Sequence, residues 1–475
     1  MANKEIECDS VVIGAGSAGI EAYREISCRG NKCVIIDPGP LGTTAQRSGE
    51  IPISILMSAG LAVHAGKRLA DYGISTSEEV SINTSQVLNS IRIARSRTTS
   101  EVLSFMYRIP EELRLHGRAR FTDANTISVS DSVDSYRVHF TTAVICTGTS
   151  PLVTYEQSRL PEVITSNEFF DLKELPESAA VFGGSAVGLQ LGQALSYLGK
   201  DVVLFGQKKL WNLTDSAVLN VARDMLSARF KMVTDSFITA IEPDSPGYSI
   251  YYVDEWNYEN YLHMDSVIAA TGRIPNVGGM NLHEIGVKLT RRGQIIVDKD
   301  TMQSSVPHIF AAGGVTMDEM NTSLAKMQGR YAGINAVTYP KLSLMPKQIK
   351  VEIVYTDPIL AIVGKSLDEM KSKASIKGSR FIVSEVRMNN SDYRAQHDEG
   401  GIISMYVDPR TRLIEGAEIC AAGGDHIAQS LAFAIRRQMT VDELATFSFF
   451  HLSCESVIAQ AAEKAVSLLG RMERL

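Results

Sequence analysis

Residues Asp9–Asp37 read DSVVIGAGSAGIEAYREISCRGNKCVIID. The run Asp9–Ile13 is short and β-branched, as in a strand buried on both faces of a parallel sheet. Gly14-Ala15-Gly16-Ser17-Ala18-Gly19 follows at once, and a helical pattern then runs over Ile20–Cys28. A second buried strand, Cys33–Ile36, ends on Asp37. Each residue type has a use where it stands. Gly14 permits a tight turn, Gly16 lets backbone approach a pyrophosphate, and Gly19 lets the helix pack on the strand. Ser17 and Ala18 stand in this turn just before the helix, whose N-terminal N–H groups and positive dipole end favour phosphate. Asp37 stands about twenty residues on, where an acid can accept hydrogen bonds from an adenosine ribose. Strand, glycine turn, helix and acid in register specify dinucleotide binding rather than a bare turn.

A second unit of this kind begins at Ala179: AAVFGGSAVGLQLGQALSYLGKDVVLFG. Gly183 and Gly188 hold the outer glycine positions, but Ser185 stands at the middle one, where a Cβ intrudes on the pyrophosphate path. The second strand ends on Phe205-Gly206 without an acid, and Gln207-Lys208-Lys209 follow. These lysines either meet a 2′-phosphate, favouring NADPH over NADH, or form a solvated turn.

Composition sets the frame. A chain of 475 residues exceeds one core and suggests two to four domains. Its net charge of −7 gives no basis for nucleic acid or an anionic membrane as partner. No apolar run approaches the ~18–20 residues of a membrane span. The start, MANKEIECDS, lacks the regions of a secretory leader, and six cysteines are too few for a disulfide framework. A cytoplasmic protein is expected. Between and after the two glycine turns come AVICTGTSP (Ala143–Pro151), VIAATGRIPN (Val267–Asn276) and IFAAGGV (Ile309–Val315), with a helix over Asn321–Thr338. Beyond Pro346, alternating runs at Ile349–Tyr355, Gly401–Val407 and Ile414–Ile419 predict antiparallel strands. Helices over Asp425–Gln438 and Cys454–Met472 complete an α+β unit.

The order of these motifs resembles the class I pyridine nucleotide–disulfide oxidoreductases, and among them the dihydrolipoamide dehydrogenases. GAGSAG with Asp37, a glycine loop ending Ile51-Pro52, CTG, the second glycine turn, ATGRIPN, IFAAGG, YTDP (Tyr355–Pro358) and a late His451 carry the resemblance across the whole chain. It implies an α/β fold with two Rossmann-like domains and a C-terminal α+β dimerisation domain. The expected boundaries are residues 1–150 and 277–345 for an FAD domain, 151–276 for an inserted NAD(P)-like domain, and 346–475 for the interface domain. The resemblance further implies a homodimer, with Thr44, Thr147, Gly148, Arg273, Gly313 and Gly314 joining Gly14–Gly19 and Asp37 at FAD. Gly183, Gly188, Gln190 and Gly272 would form the NAD(P)-like site, and the partner's C-terminal histidine would complete each active site.

The chemistry departs from the family. Counting back from Ile51-Pro52 in GTTAQRSGEIPIS (Gly42–Ser54), the redox cysteines fall on Ala45 and Glu50. The family's lysine falls on Ser54 and its glutamate partner on Gln190, so a charge pair has become neutral on both sides, as expected of a refitted interior. After His451 the expected acid is Ser456, with Glu455 one position early. Gly313-Gly314 replaces Gly-Asp, removing a charge-assisted bond worth about 1.5–3 kcal/mol. These changes leave two functions. One is an NAD(P)H-dependent FAD enzyme passing electrons directly to a small acceptor such as a quinone. The other is a non-catalytic FAD-binding dimer acting as scaffold, partner-binding or sensing protein. A third reading makes Glu50, partly desolvated near the flavin, a general base acting with His451.

Other residues read as structure. Cys28 and Cys33 have C-x₄-C spacing but lie in the nucleotide-fold core, where buried thiols are expected. Cys454, one turn from His451, would be activated if the imidazole reached it. His64, His263 and His308 share no ligand spacing with the cysteines, so no metal site is expected.

Overall fold

A computed structural model of the chain describes residues 3–75, 80–130, 135–316, 321–389 and 400–472. Strand Asn3–Ile13 lies between Cys33–Asp37 and Ser135–Ile145, parallel to both. Its residues Val11–Ile13, like Val34–Ile36, are buried on both faces, which explains the unbroken β-branched pattern. Ile309–Ala311 returns from far along the chain to pair in parallel with Ser135–Ile145. Helix Ser17–Ser27 covers this sheet through Ala18, Ala22, Tyr23 and Ile26. It starts earlier than the apolar period indicates, because Gly16 serves as its N-cap.

The second nucleotide fold centres on strand Ser178–Phe182, flanked in parallel by Asp201–Gly206 and Ser266–Ala269. A ribbon of Thr149–Pro151 against Arg273–Pro275 joins the two places where the chain enters and leaves this unit. The C-terminal unit is a five-stranded antiparallel sheet that includes Val351–Val354, Ile402–Val407 and Ile414–Ala421. Helices Gly424–Arg436 and Ser456–Met472 pack on it, as the α+β reading expects. No helix among the described residues is long and apolar enough to cross a membrane.

One expectation of the core is corrected. Cys33 is buried, but Cys28 is exposed, because it falls on the C-cap of helix Ser17–Ser27 rather than on its packed face. All the described cysteines are free thiols.

A buried carboxylate fixes the second unit to the third. Glu418, with no solvent exposure, accepts from Thr214 N at 2.8 Å, Asp215 N at 2.9 Å, Thr214 Oγ1 at 2.5 Å and Leu367 N at 2.9 Å. Tyr406 donates to Asp215 Oδ2 at 3.1 Å in the same cluster. Burial, then the charges of Glu418 and Asp215, raise the Tyr406 hydroxyl far above its ordinary pKa, so it stays a donor. Truncating Glu418 strands these donors in the interior. Glu418→Ala is therefore expected to lose at least about 3 kcal/mol in denaturant unfolding. An unchanged midpoint would show that other contacts hold the two units together.

Candidate functional site

The first glycine turn is shaped by three different constraints. A Cβ on Gly14 (φ +104°) would lie 2.4 Å from the Cys146 carbonyl oxygen, and one on Gly19 would lie 1.8 Å from Gly14 O. Both positions exclude a side chain through backbone contact. Gly16 differs: a Cβ there meets nothing within 4 Å. Its backbone, at φ −78° and ψ −173°, is open to any residue, so only the space in front of it calls for glycine. The helix behind has no side-chain cap, leaving its N-terminal N–H groups directed at that space.

Two further groups face the same region. Asp37 accepts from Ala15 N at 2.6 Å and from Gly39 N at 2.7 Å, which ties the acid to the glycine turn. A carboxylate with about four lone-pair sites keeps capacity for ribose hydroxyls. Thr147, directly after buried Cys146, has a buried hydroxyl without a hydrogen-bond partner among the described residues. Such an orphan calls for a ligand atom. An open cradle, uncapped helix N–H groups and an unmet hydroxyl fit a bound dinucleotide such as FAD.

The other residues expected at FAD are less directly disposed. Gly148 accepts from Asn276 N at 3.0 Å beside the ribbon. Arg273 donates to Thr149 Oγ1 at 2.8 Å and to Thr149 O at 2.7 Å, and burial lowers its pKa to about 10. It is thus held by the ribbon. Gly313 N is already bonded to Gln328 Oε1 at 2.9 Å, and Gly314 follows half-buried in the turn. Gln328 was not legible beforehand, since a polar residue in helix Thr322–Thr338 reads as solvated.

The second glycine turn repeats the backbone but not the opening. A Cβ on Gly183 (φ +118°) would lie 2.3 Å from Ala270 O, and one on Gly188 would lie 2.0 Å from Gly183 O. Ser185 caps helix Ala186–Tyr197 with its own hydroxyl, accepting from Gly188 N at 3.3 Å and donating to Ala270 O at 2.7 Å. An N–H group free in the first fold is therefore taken here. Gly272 accepts from Leu152 N at 2.9 Å where the chain leaves this unit. Exposed Lys208 lies 3.5 Å from Asp235, in keeping with a solvated turn.

The segment Gly42–Ser54 is two helices rather than a loop. Thr43 caps Thr44–Arg47 in a capping box with Gln46, and Gly49 breaks the chain before helix Glu50–Lys67. Ser48 is buried and bonded to Asn167 Oδ1 at 2.9 Å. Ala45 is half-buried. Two expectations change. Glu50 is exposed in this protomer, not desolvated, because it begins a new helix, where its carboxylate complements the positive end. Ser54 is likewise exposed, so it and Gln190 do not form a refitted interior. Each bonds within its own helix, Ser54 Oγ to Ile51 O at 2.8 Å and Gln190 Nε2 to Ala186 O at 2.9 Å.

His451 is exposed, beside exposed Phe447, Phe450 and Leu452. Glu455 lies 3.6 Å from His426 and accepts from the Cys454 thiol at 3.3 Å. Burial, then the bond to Glu455, pushes Cys454 up to about 12, so it is not an activated thiol. Tyr355, absent from the expected site, is raised by burial and by the charges of Asp425 and Glu50. Its only sequence signal was its place in YTDP. Among the described residues no cluster of three or more metal-ligating side chains occurs.

The glycine geometry separates binding from folding. Gly16→Ala is expected to keep the melting temperature of the cofactor-free protein while lowering FAD affinity at least about tenfold. Gly19→Ala should unfold the domain outright. Equal loss of stability in both variants would contradict this division of roles.

The sequence profile of the pyridine nucleotide-disulphide oxidoreductases matches residues 8–329, and that of the family's dimerisation domain matches residues 351–462. The dihydrolipoyl dehydrogenase of Vibrio parahaemolyticus is 26% identical over 468 residues, covering 97% of this chain and 96% of that one. The dihydrolipoyl dehydrogenase of Geobacillus stearothermophilus is 27% identical over 465 residues, covering 97% of each. Among solved structures, the Cu(II) complex of the HOCl-induced flavoprotein disulfide reductase RclA from Escherichia coli is similar in fold. Its TM-score is 0.81 at 17% identity, over 97% of this chain and 99% of that one. With both profiles spanning the two nucleotide folds and the C-terminal sheet, the chain belongs to the pyridine nucleotide-disulphide oxidoreductase family.

Proposed function

We propose that the protein is an FAD-dependent oxidoreductase that takes electrons from NADH or NADPH and passes them to a small acceptor, such as a quinone, without a thiol relay. The carrying observation is the first glycine turn, with open space before Gly16 and an unmet Thr147 hydroxyl beside it. No cysteine stands between Cys33 and Cys146, so the Gly42–Ser54 segment offers no sulfur for a dithiol substrate. A flavin bound here supplies the two-electron carrier between nicotinamide and acceptor. The chain's part is to hold the pyrophosphate at Gly14–Gly19, to engage ribose through Asp37, and to meet the cofactor with Thr147. Thr44, Gly148, Arg273, Gly313 and Gly314 complete this half of the proposal. Gly183, Gly188, Gln190 and Gly272 are assigned to the nicotinamide nucleotide.

A homodimer accompanies this reading. The exposed Phe433, Phe447, Phe450 and Leu452 lie within the segment matched by the dimerisation profile, the last three close in sequence to His451. An apolar group of this kind is what a second copy would cover. Glu50 and His451 are kept as candidate catalytic residues, with Glu50 facing solvent in the single protomer. A cytoplasmic setting, in which free thiols persist, is assigned with this reading, and no nucleic acid or membrane partner is assigned.

The second reading, a non-catalytic FAD-binding dimer, is favoured by one observation: Ser185 occupies an N–H group that a nicotinamide nucleotide would use. Steady-state NADH and NADPH oxidation with an added quinone separates the two. Turnover by FAD-loaded protein is expected, with at least about a tenfold lower KM in Ser185→Gly, a capping change costing only a few tenths of a kcal/mol. Absence of turnover in both, with FAD and the dimer retained, would select the non-catalytic reading.

A further inference from the structure

Three arginines converge on one cavity. Arg47, Arg92 and Arg95, with Leu41, Ser96 and Thr99, line a solvent-open cavity of about 240 Å³. Arg92, Arg95, Ser96 and Thr99 share one face of helix Thr84–Tyr107 at three- and four-residue spacing, while Arg47 ends the short helix Thr44–Arg47. The cradle residues Gly14–Gly19 and Thr147 do not line it.

The charges here are poorly balanced. Arg47 donates to the Pro40 carbonyl at 3.0 Å, and Arg92 donates to the Leu172 carbonyl. Arg95 donates to the Phe170 carbonyl at 2.9 Å and to Asp171 Oδ1 at 2.8 Å. Among the described residues Asp171 is the one carboxylate paired with the trio, and its side chain is 65% exposed against 14% for Arg95. Asp171 and Asp37 also act on Arg47, less strongly than burial and Arg95 do. Burial, then the neighbouring charge of Arg95, lowers the pKa of Arg47, as expected for like charges held together. Each guanidinium carries five N–H donors, so the bonds to carbonyls and Asp171 leave several to face the cavity.

We propose that this cavity is a binding site for a phosphate group, either inorganic phosphate or the phosphoryl group of a small metabolite. Planar arginine forks suit the several oxygens of such an anion, and Ser96 adds a hydroxyl. At about 240 Å³ the space falls below the roughly 300–1,000 Å³ of drug-sized ligand sites, which limits it to a small group. None of the residues that line the cavity is among those assigned to FAD or nicotinamide.

Calorimetric titration of FAD-loaded, full-length protein in chloride buffer tests it, with inorganic phosphate in one arm and glycerol 3-phosphate in the other. Saturable binding of at least one is expected. It should weaken at least tenfold in Arg47→Gln and in Arg92→Gln, whose melting temperatures without anion stay at the wild-type value. Binding of both assigns the site to phosphate itself, whereas binding of the ester alone assigns it to a phosphorylated metabolite. Absence of saturable binding in either arm overturns the proposal. So does binding that survives both substitutions, or binding seen only when FAD is removed, which would make the cavity part of the cofactor site. Should one variant fail to fold, the other carries the same test.

Discussion

The first domain depends on how closely helix Ser17–Ser27 is gripped. On its strand side, a Cβ on Gly19 would lie 1.8 Å from Gly14 O. On its other side, Cβ atoms on Gly329 and Gly333 would lie 2.1 Å from Ala18 O and 2.6 Å from Ala22 O. Gly329 and Gly333 are one turn apart in helix Thr322–Thr338, so two helices meet backbone to backbone. That contact ties residues 322–338 to the first glycine turn and holds the helix N-terminus in place. The open space before Gly16 exists because its neighbours have no freedom to fill it. A cradle built this way is preorganised, and binding need not order it.

The two nucleotide folds therefore share a backbone and differ in what they leave available. In the first, the N-terminal N–H groups are uncapped and Thr147 is unmet. In the second, Ser185 satisfies both the helix and the Ala270 carbonyl. Between them lies the Gly42–Ser54 segment. Capping at Thr43, the Ser48–Asn167 bond and the helix start at Glu50 give it local structure of its own. At the junction with the third unit, His64 stacks on Tyr197 at 4.4 Å and accepts from Arg229 at 3.0 Å. Tyr197 in turn donates to Asp357 at 2.9 Å. Helix Glu50–Lys67 is thereby fixed at both ends against its neighbours.

Much of this was legible in the sequence where one residue type answers one constraint. Glycines at positions 14, 19, 183 and 188 announced both turns, since a Cβ at each would meet backbone, while Gly16 marked the open space before the first helix. Alternation beyond Pro346 announced an antiparallel sheet. Side-chain direction was less legible. Cys28 and Ser54 face solvent because helix ends and helix phase, not spacing from a motif, decide exposure. The Gly42–Ser54 helices were hidden by the shortness of Thr44–Arg47, whose stability rests on a local capping box. Cys454 lay near His451 in sequence, yet its partners are Glu455 and the Gly423 carbonyl. The arginine cavity joins residues about fifty positions apart, which no local pattern reports.

The central claim is a redox site with flavin as its sole carrier. Anaerobic titration of the purified, FAD-loaded protein with NADH and NADPH, followed by flavin absorption, tests it most directly. A disulfide is a two-electron couple in its own right and would take up reductant beyond that needed by the flavin. The account predicts that one donor bleaches the flavin completely at one molecule per flavin. Bleaching that requires two molecules per flavin, or a flavin that neither donor bleaches, would contradict it.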